Sequence, residues 1–184
     1  MIESLAMASK EIANEKLYNS SLDLPKFINL IKSKQIINFE EADKPLYLNC
    51  RNENLEGQKH SETGVEFKRK TIELANEREV TGVFPEFDTP FEMKLDESLY
   101  QESDRKQFEA CNEELKEVIQ NNTDLRNKFT EEQIQQIIEK ETPDGYTWHH
   151  NEEPGVMQLV DTEVHAKTGH TGGKFIWGGG SENR

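Results

Sequence analysis

Apolar residues in the first quarter of the chain recur at helical spacings, with interruptions. Over residues 1–44 these spacings are broken at Ser20, Ser21 and Pro25. This pattern predicts two helices, with Pro25 near the start of the second. The polar stretch 49–61 that follows is typical of a linker or a long loop, so we place a candidate domain boundary there.

The next segment has the period of two that is typical of β-strands. Residues 64–74 and 80–87 alternate apolar and polar positions on both sides of the polar stretch 76–79. This pattern predicts a β-hairpin whose second strand is closed by Pro85. Residues 91–100 are expected to continue in an extended or mixed state.

Helical spacing returns after residue 100. Ser103 is expected to cap a helix, which the sequence Asn121-Asn122-Thr123 would break. Thr130 with Gln133 three positions later predicts a capping box for a further helix, ended by Pro143. One apolar stripe of the first helix consists of Phe108, Cys111, Leu115 and Ile119.

The last forty residues change character again. A turn leads into a strand that ends at residue 150, and residues 151–155 form a second turn before an apolar strand at 156–160. Asp161 is placed to cap a short helix that Gly169 would end. The predicted order is strand, turn, strand, helix, and the whole pattern indicates an α+β fold.

The charge balance of the chain is strongly acidic. The net charge is -14, and residues 61–143 alone carry 21 acidic and 11 basic residues. An acidic surface repels phosphate backbones, which argues against broad nonspecific binding of nucleic acid. The acidic segment is either a solvated face or a docking surface for a basic partner.

The sequence contains few features that indicate a cellular compartment. The chain contains no apolar run long enough to span a membrane, and its N-terminus has no basic region followed by an apolar core, so no signal peptide is expected. Cys50 and Cys111 lack metal-like spacing and are expected to be free thiols in a reducing compartment.

Histidines are concentrated near the end of the chain. Four of the five fall between residues 149 and 170. Adjacent residues on a regular strand point to opposite faces, so His149 and His150 could both approach one ion only at an irregular strand end. If the short helix packs across the hairpin, His149, His165 and His170 can converge as three nitrogen ligands.

Spacing alone leaves three interpretations open. Three ligands with an open position are typical of a catalytic metal site, with unligated His150 placed to deprotonate a water. A closed structural zinc site and metal-free surface histidines are the alternatives. Lys167, Lys174 and Arg184 are candidate phosphate contacts, or simply solvated surface cations.

The same residues carry a family resemblance. The stretch 145–173 resembles the WHH branch of the HNH/endonuclease VII nucleases, which occur as toxin domains of LXG-type bacterial polymorphic toxins. The resemblance covers roughly residues 60–184, and it is most specific in the last forty. The elements that carry it are Trp148-His149-His150, Met157-Gln158-Leu159-Val160, His165 and His170-Thr171-Gly172-Gly173.

The resemblance implies a ββα-metal unit at residues 144–184, in agreement with the order of elements. In the related colicin DNases, the first histidine of the pair binds metal and the second is the general base. By this motif His149, His165 and His170 are metal ligands and His150 is the base. Gln158 is the nearest counterpart of the asparagine of an HNH motif. The cofactor is expected to be zinc or another divalent transition metal, with magnesium as the alternative.

The resemblance also implies a function and a biological context. The expected activity is that of an endonuclease, with DNA favoured over RNA, acting as an antibacterial toxin domain. Residues 1–55 would form a helical segment that links to a delivery region, and residues 56–184 would form the nuclease domain. The chain would be held by a cognate immunity protein in the cytoplasm, exported as part of a larger toxin, and active in the cytoplasm of a target cell. The alternative is a noncatalytic interaction module with a structural zinc site.

Overall fold

Two three-stranded sheets form in the part of the chain that the computed structural model describes, residues 46–74 and 78–180. These residues belong to the unit Pro45–Arg184, and the helices predicted for residues 1–44 lie outside them. The first sheet has the order β1-β3-β2, and the second has the order β4-β6-β5. The strands are β1 (Leu46–Tyr47), β2 (Glu66–Glu73), β3 (Glu79–Glu86), β4 (Phe91–Lys94), β5 (Tyr146–His150) and β6 (Val156–Asp161).

Five helices accompany the sheets in the described residues, which confirms the α+β class. None of the described helices is long and apolar enough to cross a lipid bilayer. The helices are α1 (Asp104–Asn121), α2 (Thr123–Arg126), α3 (Glu131–Ile138), α4 (Thr162–Lys167) and α5 (Gly173–Ile176).

The predicted β-hairpin is present as β2 and β3, but Pro85 does not close its second strand. The strand continues to Glu86, and Pro85 pairs with Phe67. Phe67 donates its N–H to the carbonyl of Gln58 and accepts from the N–H of Gly57. Its backbone polar groups therefore face away from β3, and no ladder hydrogen bond is required of Pro85.

The predicted helix at residue 103 is confirmed as α1. The hydroxyl of Ser103 accepts a hydrogen bond from the N–H of Lys106, and the helix ends at Asn121, as the predicted break requires. Asn122 then caps the short α2. Of the predicted stripe, Cys111, Leu115 and Ile119 are buried, and Phe108 is partly buried.

The capping box of Thr130 and Gln133 is also confirmed, at the start of α3. The predicted end at Pro143 is wrong, because the helix ends at Ile138. Lys140 has a φ of 65°, which lies in the left-handed region and cannot continue a right-handed helix. The chain therefore leaves the helix before the proline is reached.

The C-terminal strand, turn, strand and helix follow the predicted order. The side chain of Asp161 accepts from the N–H of Val164 and caps α4 as expected. Gly169 does not end this helix, which stops at Lys167 with an extended Thr168 as its C-cap. The following helix α5 was not predicted.

The polar stretch predicted as a linker is hydrogen-bonded to the loop that follows α4. The backbone N–H of Arg51 donates to the hydroxyl of Thr171 at 3.0 Å, and the amide of Asn52 donates to the carbonyl of Gly169 at 2.7 Å. β1 also pairs in parallel with β3. Arg51 and Asn52 therefore attach this stretch to the loop that carries His170.

The core packs α1 against the second sheet and α3 against α1. Trp148 on β5 is buried, and its indole N–H donates to Asn112 of α1 at 2.7 Å. Phe91 of β4 packs edge-on against the same indole. This packing of Trp148 holds in place the strand β5, whose next two residues are His149 and His150.

Candidate functional site

Three of the clustered histidines converge on one point. His149 comes from β5, His165 from α4, and His170 from the loop that follows α4. One ring nitrogen of each residue lies within 4.8 Å of those of the other two. The structure thus brings together the three side chains that were predicted as metal ligands, which we call the histidine triad.

The spacing of the ring nitrogens within the triad is compatible with a shared metal ion. Nδ1 of His149 lies 3.2 Å from Nε2 of His165. Two nitrogens that share a tetrahedral zinc at ordinary bond lengths lie roughly 3.3 Å apart. Nε2 of His149 is buried and has no hydrogen-bond partner in the described residues. Three imidazole nitrogens grouped in this way are a donor set that fits a divalent transition metal.

The third ring of the triad has its tautomer set by the backbone. Nδ1 of His170 lies 2.6 Å from the carbonyl oxygen of Thr168, which can only accept. Nδ1 therefore carries the proton, and Nε2 keeps its lone pair for a ligand. Such a hydrogen bond on the far nitrogen is the usual support of a metal-binding histidine.

All three rings are neutral at pH 7. Burial lowers the pKa of His149 well below its usual 6.5, and the neighbouring His170 and His165 lower it further. Burial followed by His170 lowers the pKa of His165 to about 4. Burial also lowers the pKa of His170, aided by the charge of Arg51. Neutral imidazole is the form that binds metal.

An aromatic wall closes one side of the triad. The ring centroid of Phe87 lies 4.8 Å from that of His149, 5.5 Å from His165 and 5.2 Å from His170. On another side, a side chain added at Gly172 would lie 3.3 Å from Cε1 of His149. The absence of a side chain there lets the His170 loop approach the strand closely.

His150 lies on the other face of β5. The strand is regular through His150, which pairs with Met157, so the irregular strand end considered from the sequence does not occur. Its ring packs near Phe108 and Trp177, neither of which contacts the triad rings. His165 is nevertheless among the groups that lower the pKa of His150, so the two rings are within electrostatic reach.

A buried glutamine fixes the ring of His150. Oε1 of Gln107 lies 2.8 Å from Nε2 of His150. The amide Nε2 of Gln107 donates to the carbonyls of Leu99 and Tyr100, at 2.8 and 2.9 Å. Because both carbonyls can only accept, the amide has one orientation and Oε1 must face the histidine. The proton of neutral His150 therefore resides on Nε2, and the lone pair is on Nδ1.

An ion pair lies beside this hydrogen bond. Nζ of Lys174 is 2.7 Å from Oδ1 of Asp104, and that oxygen is 3.8 Å from Nε2 of His150. Burial, followed by the charge of Lys174, lowers the pKa of His150 to about 4, although Asp104 opposes them. At neutral pH the ring is uncharged, and its Nδ1 is able to accept a proton.

Two of the three predicted phosphate contacts are already paired with carboxylates. Lys174 is held in the ion pair with Asp104 and is largely buried. Lys167 lies 3.5 Å from Glu62 and 3.9 Å from Glu163. Arg184 lies outside the described residues.

Gln158 lies opposite His149 in the register of β5 and β6. Directly opposed residues of an antiparallel pair share a face, so both side chains project to the same side of the sheet. The amide of Gln158 donates to Glu92 at 2.6 Å, and its carbonyl oxygen accepts from Asn151 at 3.3 Å. Gln158 thus bridges β4 and the turn after His150.

A buried charge network holds that turn to the first sheet. Lys70 of β2 forms ion pairs with Glu152 of the turn and with Glu86 of β3. Glu152 is almost fully buried; burial raises its pKa, and Lys70 opposes the effect. A buried carboxylate of this kind requires its cation, so the pair fixes the turn against β2.

Gln107, Arg51 and Phe87 lie at the site but were not predicted from the sequence. A signal existed for Gln107, since it lies four positions before buried Cys111 on the apolar stripe of α1. A glutamine on such a stripe requires a buried partner. No comparable signal marks Arg51 or Phe87.

Sequence comparison places this geometry in a known family. A family model described as the DNase/tRNase domain of colicin-like bacteriocin matches residues 76–172, just over half of the 184-residue chain. The matched range contains the histidine triad, His150 and Gln107. Searches of curated proteins and of solved structures gave no significant match. The chain belongs to the family of DNase/tRNase domains of colicin-like bacteriocins, and it is a nuclease toxin domain that acts on nucleic acid.

Proposed function

We propose that this domain is a metal-dependent endonuclease in which the histidine triad binds one divalent cation. The observation that carries the proposal is the convergence of the three ring nitrogens within 4.8 Å. No other histidine, cysteine or carboxylate joins them among residues 46–74 and 78–180. Three protein ligands with an open position are typical of catalytic sites rather than structural ones.

His150 is the proposed general base. Its neutral ring keeps a lone pair on Nδ1, because Gln107 holds the proton on Nε2. A base of this type takes a proton from the water that attacks the phosphodiester. A divalent ion in the triad would supply neutralisation of charge on the phosphate oxygens. Gln158 is proposed to act indirectly, by holding the turn that follows His150.

Zinc or another divalent transition metal is the proposed cofactor. Three imidazoles suit zinc, nickel and cobalt, whereas magnesium prefers oxygen ligands. Magnesium remains the alternative, since a phosphate and waters would supply oxygens at the open positions.

The substrate is proposed to be DNA in preference to RNA. The matched family includes both DNases and tRNases, so the preference rests on the WHH resemblance of residues 145–173. That resemblance also supports an antibacterial polymorphic toxin of the LXG type. In this proposal residues 56–184 are the toxin domain, with its ββα unit at 144–184, and residues 1–55 lead to a delivery region.

A cognate immunity protein is the proposed partner. The net charge of -10 in residues 61–143 supports a partner with a basic or mixed-charge surface. The complex would form in the cytoplasm of the producing bacterium, before export of the larger toxin and action in the cytoplasm of a target cell.

The test combines nuclease assays with metal analysis. Wild type, His150→Ala, His149→Ala and the control His60→Ala are incubated with plasmid DNA and with tRNA, each with Zn²⁺, Ni²⁺, Co²⁺, Mn²⁺ or Mg²⁺. His150→Ala should keep its metal and lose about 10²- to 10⁴-fold in rate, the range for a general base. His149→Ala should lose metal as well. His60 lies outside the triad, and the hydrogen bonds of its ring are to Thr63, so His60→Ala should behave as wild type.

Two outcomes would contradict the proposal. Cleavage by His150→Ala at the wild-type rate would remove His150 as the base. Failure of the wild type to cleave either polymer with any metal, together with tightly bound zinc, would favour the noncatalytic module with a structural zinc site.

A further inference from the structure

We propose that Trp177 is a positioning residue of the nuclease site, which holds the ring of His150 and the end of the strand that carries it. The proposal rests on the proposed function of His150 as the general base. Trp177 follows α5 and lies beyond the range 76–172 that the family model matches. The nuclease site of this chain would therefore include a segment that the matched range does not contain.

The indole of Trp177 is hydrogen-bonded to the residue that follows His150. Its Nε1–H donates to the carbonyl oxygen of Asn151 at 2.8 Å, and this hydrogen bond is buried. The side chain of Trp177 is buried as well. Because β5 ends at His150, the bond restrains the backbone at the point where the chain leaves the strand.

The same indole also lies beside the ring of His150. The two ring centroids are 5.4 Å apart, and the ring of Phe108 lies 5.8 Å from that of His150. The last torsion of a histidine side chain is only weakly restricted by the side chain itself. The hydrogen bond to Gln107 fixes one nitrogen of His150, and the two aromatic rings restrict the plane of the imidazole around that nitrogen.

The segment that carries Trp177 is attached to the start of α1 and to the residues before it. The side-chain amide of Gln101 donates to the carbonyl oxygen of Trp177 at 2.6 Å, and Nζ of Lys174 lies 2.7 Å from Oδ1 of Asp104. Tyr100 packs against the indole, with 5.1 Å between the ring centroids. The indole is therefore held in place by contacts other than the one it makes with His150.

Gly173 gives independent support for a close fit between this segment and the turn after β5. A Cβ built on Gly173 would clash with the backbone carbonyl of Asn151 and with Nε1 of Trp177. The φ of Gly173 is not positive, so its backbone conformation does not require glycine. The absence of a side chain instead lets the first residue of α5 lie against the carbonyl that Trp177 binds.

Catalysis by a general base depends on the position of its lone pair. The base must lie within hydrogen-bond reach of the water that it deprotonates, and a displacement of about 1 Å can lower the rate about 10²-fold. His150 is the last residue of β5 that pairs with β6, so its ring depends on contacts from outside the sheet. Trp177 supplies two such contacts, one to the ring and one to the next backbone carbonyl.

The first test measures turnover. Trp177→Leu removes the aromatic ring and the indole N–H, whereas Trp177→Phe keeps a ring and removes the hydrogen bond to Asn151. Cleavage of plasmid DNA is measured with the metal ion that gives the highest wild-type rate. In Trp177→Leu, kcat should fall about 10- to 100-fold, with KM and metal content unchanged. Trp177→Phe should lose about 2- to 12-fold, the effect of one hydrogen bond.

A second readout does not depend on cleavage. Diethyl pyrocarbonate modifies accessible neutral imidazoles, and peptide mass spectrometry of the treated full chain gives the rate at each histidine. The rate at His150 should rise several-fold in Trp177→Leu, while the rate at His60 should not change. Gly173→Ala, which displaces α5 from the turn, should raise the rate at His150 and lower kcat in the same way.

Phe129→Leu is the matched control for a loss of stability. Phe129 is a buried aromatic residue whose ring packs against Tyr146, so its replacement removes a ring from the core and leaves the contacts of His150 intact. Urea unfolding measures the stability of the Trp177 and Phe129 variants under the same conditions. Phe129→Leu should keep the wild-type kcat and the wild-type modification rate at His150.

Wild-type kcat and wild-type modification of His150 in both Trp177→Leu and Gly173→Ala would overturn the proposal. An equal loss of kcat in Phe129→Leu would overturn it too, because general destabilisation would then explain the effect. If the modification rate of His150 responds to Trp177 but the wild type cleaves neither DNA nor RNA with any metal, the proposed catalytic function fails while the positioning of the ring stands.

Discussion

Gln107 and His150 are 43 residues apart in sequence, yet Oε1 of Gln107 lies 2.8 Å from Nε2 of His150. The glutamine is fully buried, and its amide N–H groups are used by two backbone carbonyls, so it presents only an acceptor to the ring. A side chain on α1 thus decides which nitrogen of His150 carries the proton.

This relationship predicts the behaviour of two substitutions at Gln107. Gln107→Met removes the acceptor and should mix the tautomers of His150, whereas Gln107→Glu keeps an acceptor. Since a neutral hydrogen bond contributes about 0.5 to 1.5 kcal/mol, Gln107→Met should lower kcat roughly 2- to 12-fold. In Gln107→Glu kcat should fall less than in Gln107→Met, although both variants lose the hydrogen bonds to the carbonyls of Leu99 and Tyr100.

Long-range ¹H–¹⁵N NMR of the histidine rings reports the tautomer directly, without reference to nuclease activity. Wild type should show His150 protonated at Nε2, and Gln107→Met should show signal from both forms. An unchanged His150 tautomer in Gln107→Met would mean that the glutamine has only a packing role.

Metal binding should depend on each member of the histidine triad. His165→Ala removes one of the two nitrogens that lie 3.2 Å apart, so its affinity for Zn²⁺ should fall by at least 10-fold. The measurement is the zinc content of purified protein by mass spectrometry, with titration of the metal-free form. His60→Ala is the control, and equal zinc in wild type and His165→Ala would remove His165 from the ligand set.

Alkaline pH should destabilise the fold through Cys111. Burial raises the pKa of this thiol from 9.0 to about 12, so the folded state holds the proton to a higher pH than the unfolded chain. Stability is therefore full below pH 9 and is lost as the pH rises, by roughly 2 kcal/mol near pH 10.5.

Urea unfolding of wild type and Cys111→Ala at pH 8 and near pH 10.5 measures this loss. Cys111→Ala is less stable at both values because of the cavity, but its stability should change less with pH. An equal pH dependence in both proteins would exclude Cys111 as the source.

Association with an immunity protein should be sensitive to salt. The Debye length falls from about 8 Å at physiological ionic strength to about 3 Å at 1 M, so steering by the acidic segment 61–143 should weaken. The on-rate, measured by stopped flow with the cognate partner, should fall as salt rises.

A double substitution tests the acidic surface directly. Glu114 and Glu117 are exposed on α1, and replacing both by glutamine should lower the on-rate at low salt with little effect at high salt. An on-rate that changes neither with salt concentration nor with these substitutions would count against an electrostatic docking surface.

Features that depend on near neighbours could be predicted from the sequence. The hydroxyl of Ser103 caps α1 three residues away, and Thr130 and Gln133 close a capping box over the same distance. Asp161 caps α4 in the same manner. The order of strand, turn, strand and helix, and with it the grouping of His149, His165 and His170, follows from these local patterns.

Tertiary packing decided the rest of the site. Pro85 stays within its strand because Phe67 turns its hydrogen bonds toward Gln58, and neither fact can be seen in the local pattern. Arg51 reaches Thr171 across 120 residues. Hydrophobic periodicity determines which face of an element is buried, but it does not determine which distant element covers that face. The proton position on His150 and the cation beside His170 therefore exist only once the sheets and helices have packed.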